Sequence, residues 1–406
     1  MYGNKILRGD VVMDHKIEDG MLIVQIQGKI DSNSAPGFEK ELFDVVSKNP
    51  DLETVLDAGK LEYISSAGLR VLMKLRKQHD KLVMINVSRD VYEIMEVTGF
   101  TELFTIRKAL RELSVEGAEL IGKGGNGAVY RLDKETIVKV YFGISNPVQK
   151  IERDRLISRQ VFIHGINTAI PYDMVRVGDN YGVVFEMIDA LTLGQFLSRY
   201  PEKTEEYVHR MTELLKQMHS TEFDKDELPD ARNLLYHRLN LCAESPYFTQ
   251  EEIRIMRNVI DRIPERNTFV HGDFHPGNIM VKDDELILID VGDSGLGHPV
   301  NDLMGMYLLY IVAARSGSSE RYCGLNAEML SGMWPQFLSE YFDTRDEEQI
   351  GKITQAIGGL AQLKLLQGIV VNSGIPDEMR KNAIDGVKKT FFGYTDQILE
   401  GALGVF

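Results

Sequence analysis

The segment His271-Gly-Asp-Phe-His-Pro-Gly-Asn-Ile-Met280, with Leu286-Ile-Leu-Ile-Asp290 close behind it, constrains this chain more than any other feature. It has the pattern H-x-D-x-x-x-x-N followed by an apolar strand that ends in an acid. Asp273 is placed to accept or orient the proton of a hydroxyl group. Asn278, five residues on, and Asp290, at the strand end, offer oxygen ligands, which a hard cation such as Mg²⁺ takes. Three such elements, in order and at sensible spacing, are not a by-product of packing.

Upstream, Ile121-Gly-Lys-Gly-Gly-Asn-Gly-Ala-Val-Tyr130 fits G-x-G-x-x-G-x-V through Gly122, Gly124, Gly127 and Val129, with Gly125 and Asn126 inside the turn. Glycines let backbone N–H groups approach phosphates with no Cβ in the way. A plain hairpin turn would use the same glycines, so the loop alone decides little. Thr136-Ile-Val-Lys-Val-Tyr141 then reads as a strand, with Lys139 available to hold α and β phosphates. The lysine needs a carboxylate partner. The predicted helix over 148–163 offers Glu152 and Asp154, which lie two apart and cannot share one helical face. The residues leave both open.

His271-Gly-Asp-Phe-His-Pro-Gly-Asn278 resembles the catalytic loop of the aminoglycoside phosphotransferase and choline kinase superfamily, over roughly residues 117–400. The resemblance implies a bilobal, protein-kinase-like domain using ATP and Mg²⁺. Asp273 and Lys139 would be catalytic, and Asn278 and Asp290 would hold the metal. The glycine turn would hold phosphates, and the backbone of Glu186 and Ile188 at a hinge would bond adenine, with Met187 or Met174 packing on the base. Asp302, in His298-Pro-Val-Asn-Asp302, would bond the catalytic loop. His271-Gly-Asp stands where protein kinases carry His-Arg-Asp, and no Ala-Pro-Glu follows Asp290-Val-Gly-Asp. Small-molecule kinases share these differences, so a small-molecule hydroxyl is the favoured acceptor. The expected domain runs over 114–406, with an N-lobe at about 117–185, a hinge at 186–188 and a C-lobe at 189–406.

With 406 residues, two domains are the natural expectation. Residues 1–12 read as an untethered leader. Residues 13–113 alternate strands and helices, as a small α/β domain does. Leu22, Val24 and Ile26 recur at period two, and Phe38, Leu42, Val45 and Val46 share one helical face. Residues 106–116 read as a charged helical linker. The net charge is −15; residues 1–113 carry 16 basic and 18 acidic side chains, so the acidity lies in the second domain and argues against a nucleic-acid partner. The longest apolar stretch, residues 358–371, carries Lys364 and two glutamines and is too short and polar to span a bilayer. Two distant cysteines and no signal-peptide pattern fit a reducing cytoplasm.

Leu61-Glu-Tyr-Ile-Ser-Ser-Ala-Gly-Leu-Arg-Val-Leu72 resembles the phosphorylation loop of STAS domains, which are found in anti-sigma factor antagonists. Gly28-Lys-Ile-Asp31 and Thr98-Gly-Phe100 support the resemblance. It implies a regulatory or partner-binding module whose phosphoacceptor position is Ser66, preceded by Ser65 where the best-known members carry Asp. A phosphate there would sit at a helix N-terminus, where unpaired N–H groups and the dipole favour it. A plain N-cap is the simpler reading of the same serines. For the whole chain, two functions stand open. One is a Mg-ATP-dependent phosphotransferase with a regulatory STAS module. The other is a nucleotide-sensing partner switch with little turnover.

Overall fold

In the computed structural model the chain divides into two compact units, Met1–Leu113 and Ser114–Phe406. The structure describes residues 5–6, 11–18, 20–79, 82–124, 127–143, 148–372 and 374–400, with the backbone alone for 5–6 and 396–400.

The first unit is a six-stranded sheet with its strands in sequence order. Lys5–Ile6, Val11–Glu18 and Met21–Ile30 pair antiparallel. Glu53–Ile64, Val83–Val87 and Thr105–Lys108 continue the sheet in parallel. Parallel neighbours need crossovers, and the helices Ala35–Ser47, Ser66–Arg76 and Arg89–Val97 lie in these connections. Phe38, Leu42, Leu72 and Leu75 from the first two are fully buried against Leu22, Val24 and Ile26 of the central strand.

Two expectations are corrected here. The described residues of the expected leader 1–12 are tethered, since Lys5–Ile6 pairs with Val12 and Met13, and Val11 is fully buried opposite Gly28. The charged segment from Ile106 is not a helix. Ile106 pairs with Met84 and is half-buried, while Thr105 and Lys108 beside it are exposed. Charges suit the edge of a sheet as well as a helix surface, so composition misled the reading.

The second unit begins with an antiparallel sheet. Its strands Pro171–Val177, Asn180–Glu186, Thr136–Tyr141, Gly127–Arg131 and Glu119–Lys123 lie side by side in that order. The helix Val148–Ile163 packs on it, with Ile151 against Tyr141 and Val183. A helical part follows, cored by Thr204–Ser220, Val300–Tyr307, Ala327–Tyr341 and Glu347–Val371. The hairpin Ile279–Lys282 and Glu285–Leu288 lies within it. Among the described residues no helix is long and apolar enough to cross a membrane.

Candidate active site

The loop from His271 to Asn278 is held from beneath by Asp302. This fully buried carboxylate accepts the backbone N–H groups of His271 at 2.9 Å and Gly272 at 2.6 Å, and the Nε2 of buried His219 lies 3.0 Å from it. Burial works to raise Asp302, but His219 and the His271 contacts outweigh it and keep its pKa below the ordinary value. His219 is in turn 2.6 Å from the Tyr341 hydroxyl. Gly272 sits at φ +82°, and a Cβ there would come 2.6 Å from the Asp293 carbonyl oxygen, so both backbone and space demand glycine.

Asp273 and Asn278 are brought together directly. The Asn278 amide nitrogen donates to the Asp273 carbonyl at 3.0 Å and to its carboxylate at 3.3 Å. That orientation leaves the Asn278 oxygen as the atom to face a cation. His275 Nε2 lies 3.6 Å from the Asp273 carboxylate, longer than a close hydrogen bond. Burial works to raise Asp273, but the approach of His275, then the charges of Lys364 and His271, hold its pKa at about 2.

Asp290 follows the strand Glu285–Leu288 at φ +60°, a left-handed conformation that is uncommon outside glycine and tends to persist at functional sites. Its carboxylate accepts from Lys139 Nζ at 2.6 Å. Lys139 and Tyr141 share a face of their strand, opposite the buried Val138 and Val140. Burial works to depress Lys139, yet Asp290, Tyr141 and Asp154 together leave its pKa raised.

Of the two helix carboxylates, Asp154 is the one turned toward this cluster. It packs against the turn after Asp290, where a Cβ on Gly292 would come 3.1 Å from its Cγ. Burial, with Asp293 adding to it and Lys150 and Lys139 opposing, pushes Asp154 up to about 6. The hydrogen-bond partner of Lys139 is thus Asp290 rather than a carboxylate of this helix, from which Asp154 contributes its charge.

Gly122 pairs with Val129 across the hairpin, and Gly124 donates to the Gly127 carbonyl at 2.9 Å. A Cβ on Gly127 would lie 2.1 Å from the Val140 carbonyl oxygen. Gly125 and Asn126 fall outside the described residues. At the expected hinge, the Glu186 N–H donates to the Ile170 carbonyl, the Met187 N–H to the Glu135 carbonyl and the Ala190 N–H to the Ile188 carbonyl. Ile188 packs with Ala169 and Ile287, joined by Met280 and Ile289. Met174 instead lies in the sheet core with Tyr141 and Val183.

His275 and Lys364 were missed as site residues. His275 lay in plain view inside the motif. Lys364 had no signal beyond being a lysine in an apolar helix. In the first unit, Ser65 is the N-cap of helix Ser66–Arg76, its Oγ accepting from Gly68 N–H at 3.4 Å, while Ser66 is exposed in the first turn.

The fold and this cluster define a kinase-like phosphotransferase domain preceded by a small STAS-like domain. The model of the phosphotransferase enzyme family matches residues 117–330, more than half of the chain, and the chain belongs to that family. The STAS domain model matches residues 13–113. BtrV of Bordetella bronchiseptica, named as a candidate anti-sigma factor antagonist, is 41% identical over 92 residues, 22% of this chain and 78% of that protein. An anti-sigma-B factor antagonist of Listeria monocytogenes is 26% identical over 97 residues, 23% of this chain and 84% of that protein. The ADP-bound aminoglycoside phosphotransferase APH(2'')-Ib aligns over 69% of this chain and 94% of its own, at 17% identity and a TM-score of 0.47.

Proposed function

We propose that the second unit transfers the γ-phosphoryl group of Mg-ATP to a hydroxyl, with a small molecule as the favoured acceptor, and that the STAS unit regulates it or docks a protein partner. The observation that carries the reading is the convergence of Lys139, Asp154, Asp273, Asn278 and Asp290 from three separate parts of the chain, in a member of a phosphotransferase family.

Lys139 would hold the α and β phosphates against the glycine turn of Gly122, Gly124 and Gly127, and Asp154 would supply negative charge behind the lysine. The Glu186 carbonyl and Ile188 N–H would take adenine. Asn278 and Asp290 would hold Mg²⁺, and a single carboxylate and amide suit a cation that keeps waters and phosphate oxygens as its other ligands. The bound ion would neutralise charge developing on the β and γ phosphates. Asp273 would orient the acceptor hydroxyl and take its proton as the oxygen bonds to the γ phosphorus and the bond to the ADP oxygen breaks. Positioning and electrostatics would do most of the work. In the STAS unit, exposed Ser66 is the candidate phosphoacceptor, because Ser65 already serves as the cap.

Calorimetric titration of the full chain with Mg-ATP tests the nucleotide half of this reading. A screen of metabolites and proteins for ATP-dependent phosphate acceptors, with Asp273→Asn as control, tests the chemistry. No binding of Mg-ATP would remove the reading.

A further inference from the structure

Lys364 lies on the helix Glu347–Val371, beyond the stretch matched by the family model. The helix is apolar around it, with Leu360, Ala361, Leu363 and Leu366 fully buried. A lysine in such a place is costly unless something pairs with it. Its Nζ reaches into the catalytic loop and donates to the Gly272 carbonyl at 2.9 Å. Room for the ammonium comes from Gly305 on the neighbouring helix, where a Cβ would stand 3.0 Å from Nζ. Four charged groups surround it from the elements packed there. They are Asp273 on the loop, Asp302 at the helix start, Asp293 in the turn after Asp290, and Arg238 on the helix Arg232–Glu244.

The two contacts serve one end. Gly272 is in the left-handed region, so its carbonyl orientation sets where the next residue, Asp273, points. A charged donor on that carbonyl holds the peptide more firmly than a neutral one would. The same ammonium gives Asp273 a nearby positive charge in addition to that of His275.

We propose that Lys364 is a positioning residue of the phosphotransfer site, fixing the Gly272 peptide and holding positive charge beside Asp273. The inference rests on the phosphotransferase reading above for its consequence, though not for its electrostatics. Burial depresses Lys364 while Asp273 and Asp302 oppose the shift, so the ammonium is lost at a lower pH than an ordinary lysine would lose it, and Asp273 delays that loss.

The test uses the full chain in two parts. In protein labelled with ¹³C at lysine Cε, the NMR signal missing from Lys364→Met identifies Lys364. It is expected to titrate below the ordinary lysine range, and lower still in Asp273→Asn. A signal that titrates ordinarily, or ignores Asp273→Asn, overturns the pairing. In the second part, Mg-ATP hydrolysis with water as acceptor is compared across variants. Lys364→Met is expected to lower kcat by about 10- to 100-fold, as misplaced reacting groups do, with the Kd for Mg-ATP and the melting temperature nearly unchanged. Gly305→Ala, which crowds the ammonium without removing it, is expected to lower kcat by less. Wild-type kcat in Lys364→Met overturns the proposal. So does loss of ATP binding or of the fold in Lys364→Met, which would assign Lys364 to structure alone. A wild-type chain that binds no Mg-ATP removes the phosphotransfer reading, and the NMR titration then still decides the link between Lys364 and Asp273.

Discussion

Lys139 Nζ and Asp290 Oδ1 stand 2.6 Å apart across 151 positions of sequence, joining the sheet at the start of the second unit to the turn that follows the strand Glu285–Leu288. The pair commits the amine that would hold phosphates and the carboxylate that would hold the metal to one small volume. Mg-ATP is therefore expected to bind both at once. At a hundredfold excess over Kd it should stabilise the fold by about 2.7 kcal/mol, visible as a higher melting temperature. Lys139→Met should weaken Mg-ATP binding about tenfold or more, the usual loss for a charged hydrogen bond. Asp290→Ala should abolish most of the Mg²⁺ dependence. Equal titration curves for wild type and both variants would count against this pair.

Asp302 carries the loop from below, so its removal should harm stability before chemistry. Asp302→Ala strands His219 and two backbone N–H groups in the core and should cost about 3–5 kcal/mol in denaturant unfolding. Because the folded pKa of Asp302 lies below its ordinary 3.8, its contribution is complete above that value. It is lost as the pH falls through the folded pKa. Acid unfolding of the wild type should show this loss, and Asp302→Ala should not.

Asp154 behaves in the opposite sense. Its pKa rises from 3.8 to about 6 on folding, so the folded state binds the proton more tightly. Stability should fall as the pH rises from 3.8 to about 6 and then level off. Asp154→Asn should remove that decline, whereas Glu152→Gln should leave it in place. Melting temperatures of the three proteins at pH 5 and pH 7 provide the check, and a matching effect in both variants would dismiss the distinction between these residues.

The two adjacent serines of the first unit should separate cleanly. Ser65→Ala removes a helix cap and should cost about 1 kcal/mol. Ser66→Ala touches an exposed hydroxyl and should stay within about 0.5 kcal/mol. Intact-mass measurement after incubation with Mg-ATP asks whether Ser66 is an internal acceptor. No gain of one phosphate, or a gain that survives Ser66→Ala, would leave the STAS unit as a docking module alone.

What could be read along the chain was whatever is written within a few residues. The spacing of Asp273 and Asn278 records one tight loop. The alternation of Leu22, Val24 and Ile26 records one strand face, and Gly127 records a place where a Cβ has no room. Such patterns survive in a sequence because backbone geometry dictates them locally. The packing of Asp154 against Gly292, the edge strand at Thr105–Lys108 and the arrival of Lys364 at Gly272 from 92 positions away were decided only by the fold. Each depends on which surface another element covers. A single long-range partner leaves no period, spacing or composition behind, and burial against a distant neighbour alone turns a lysine in an apolar helix into part of the site.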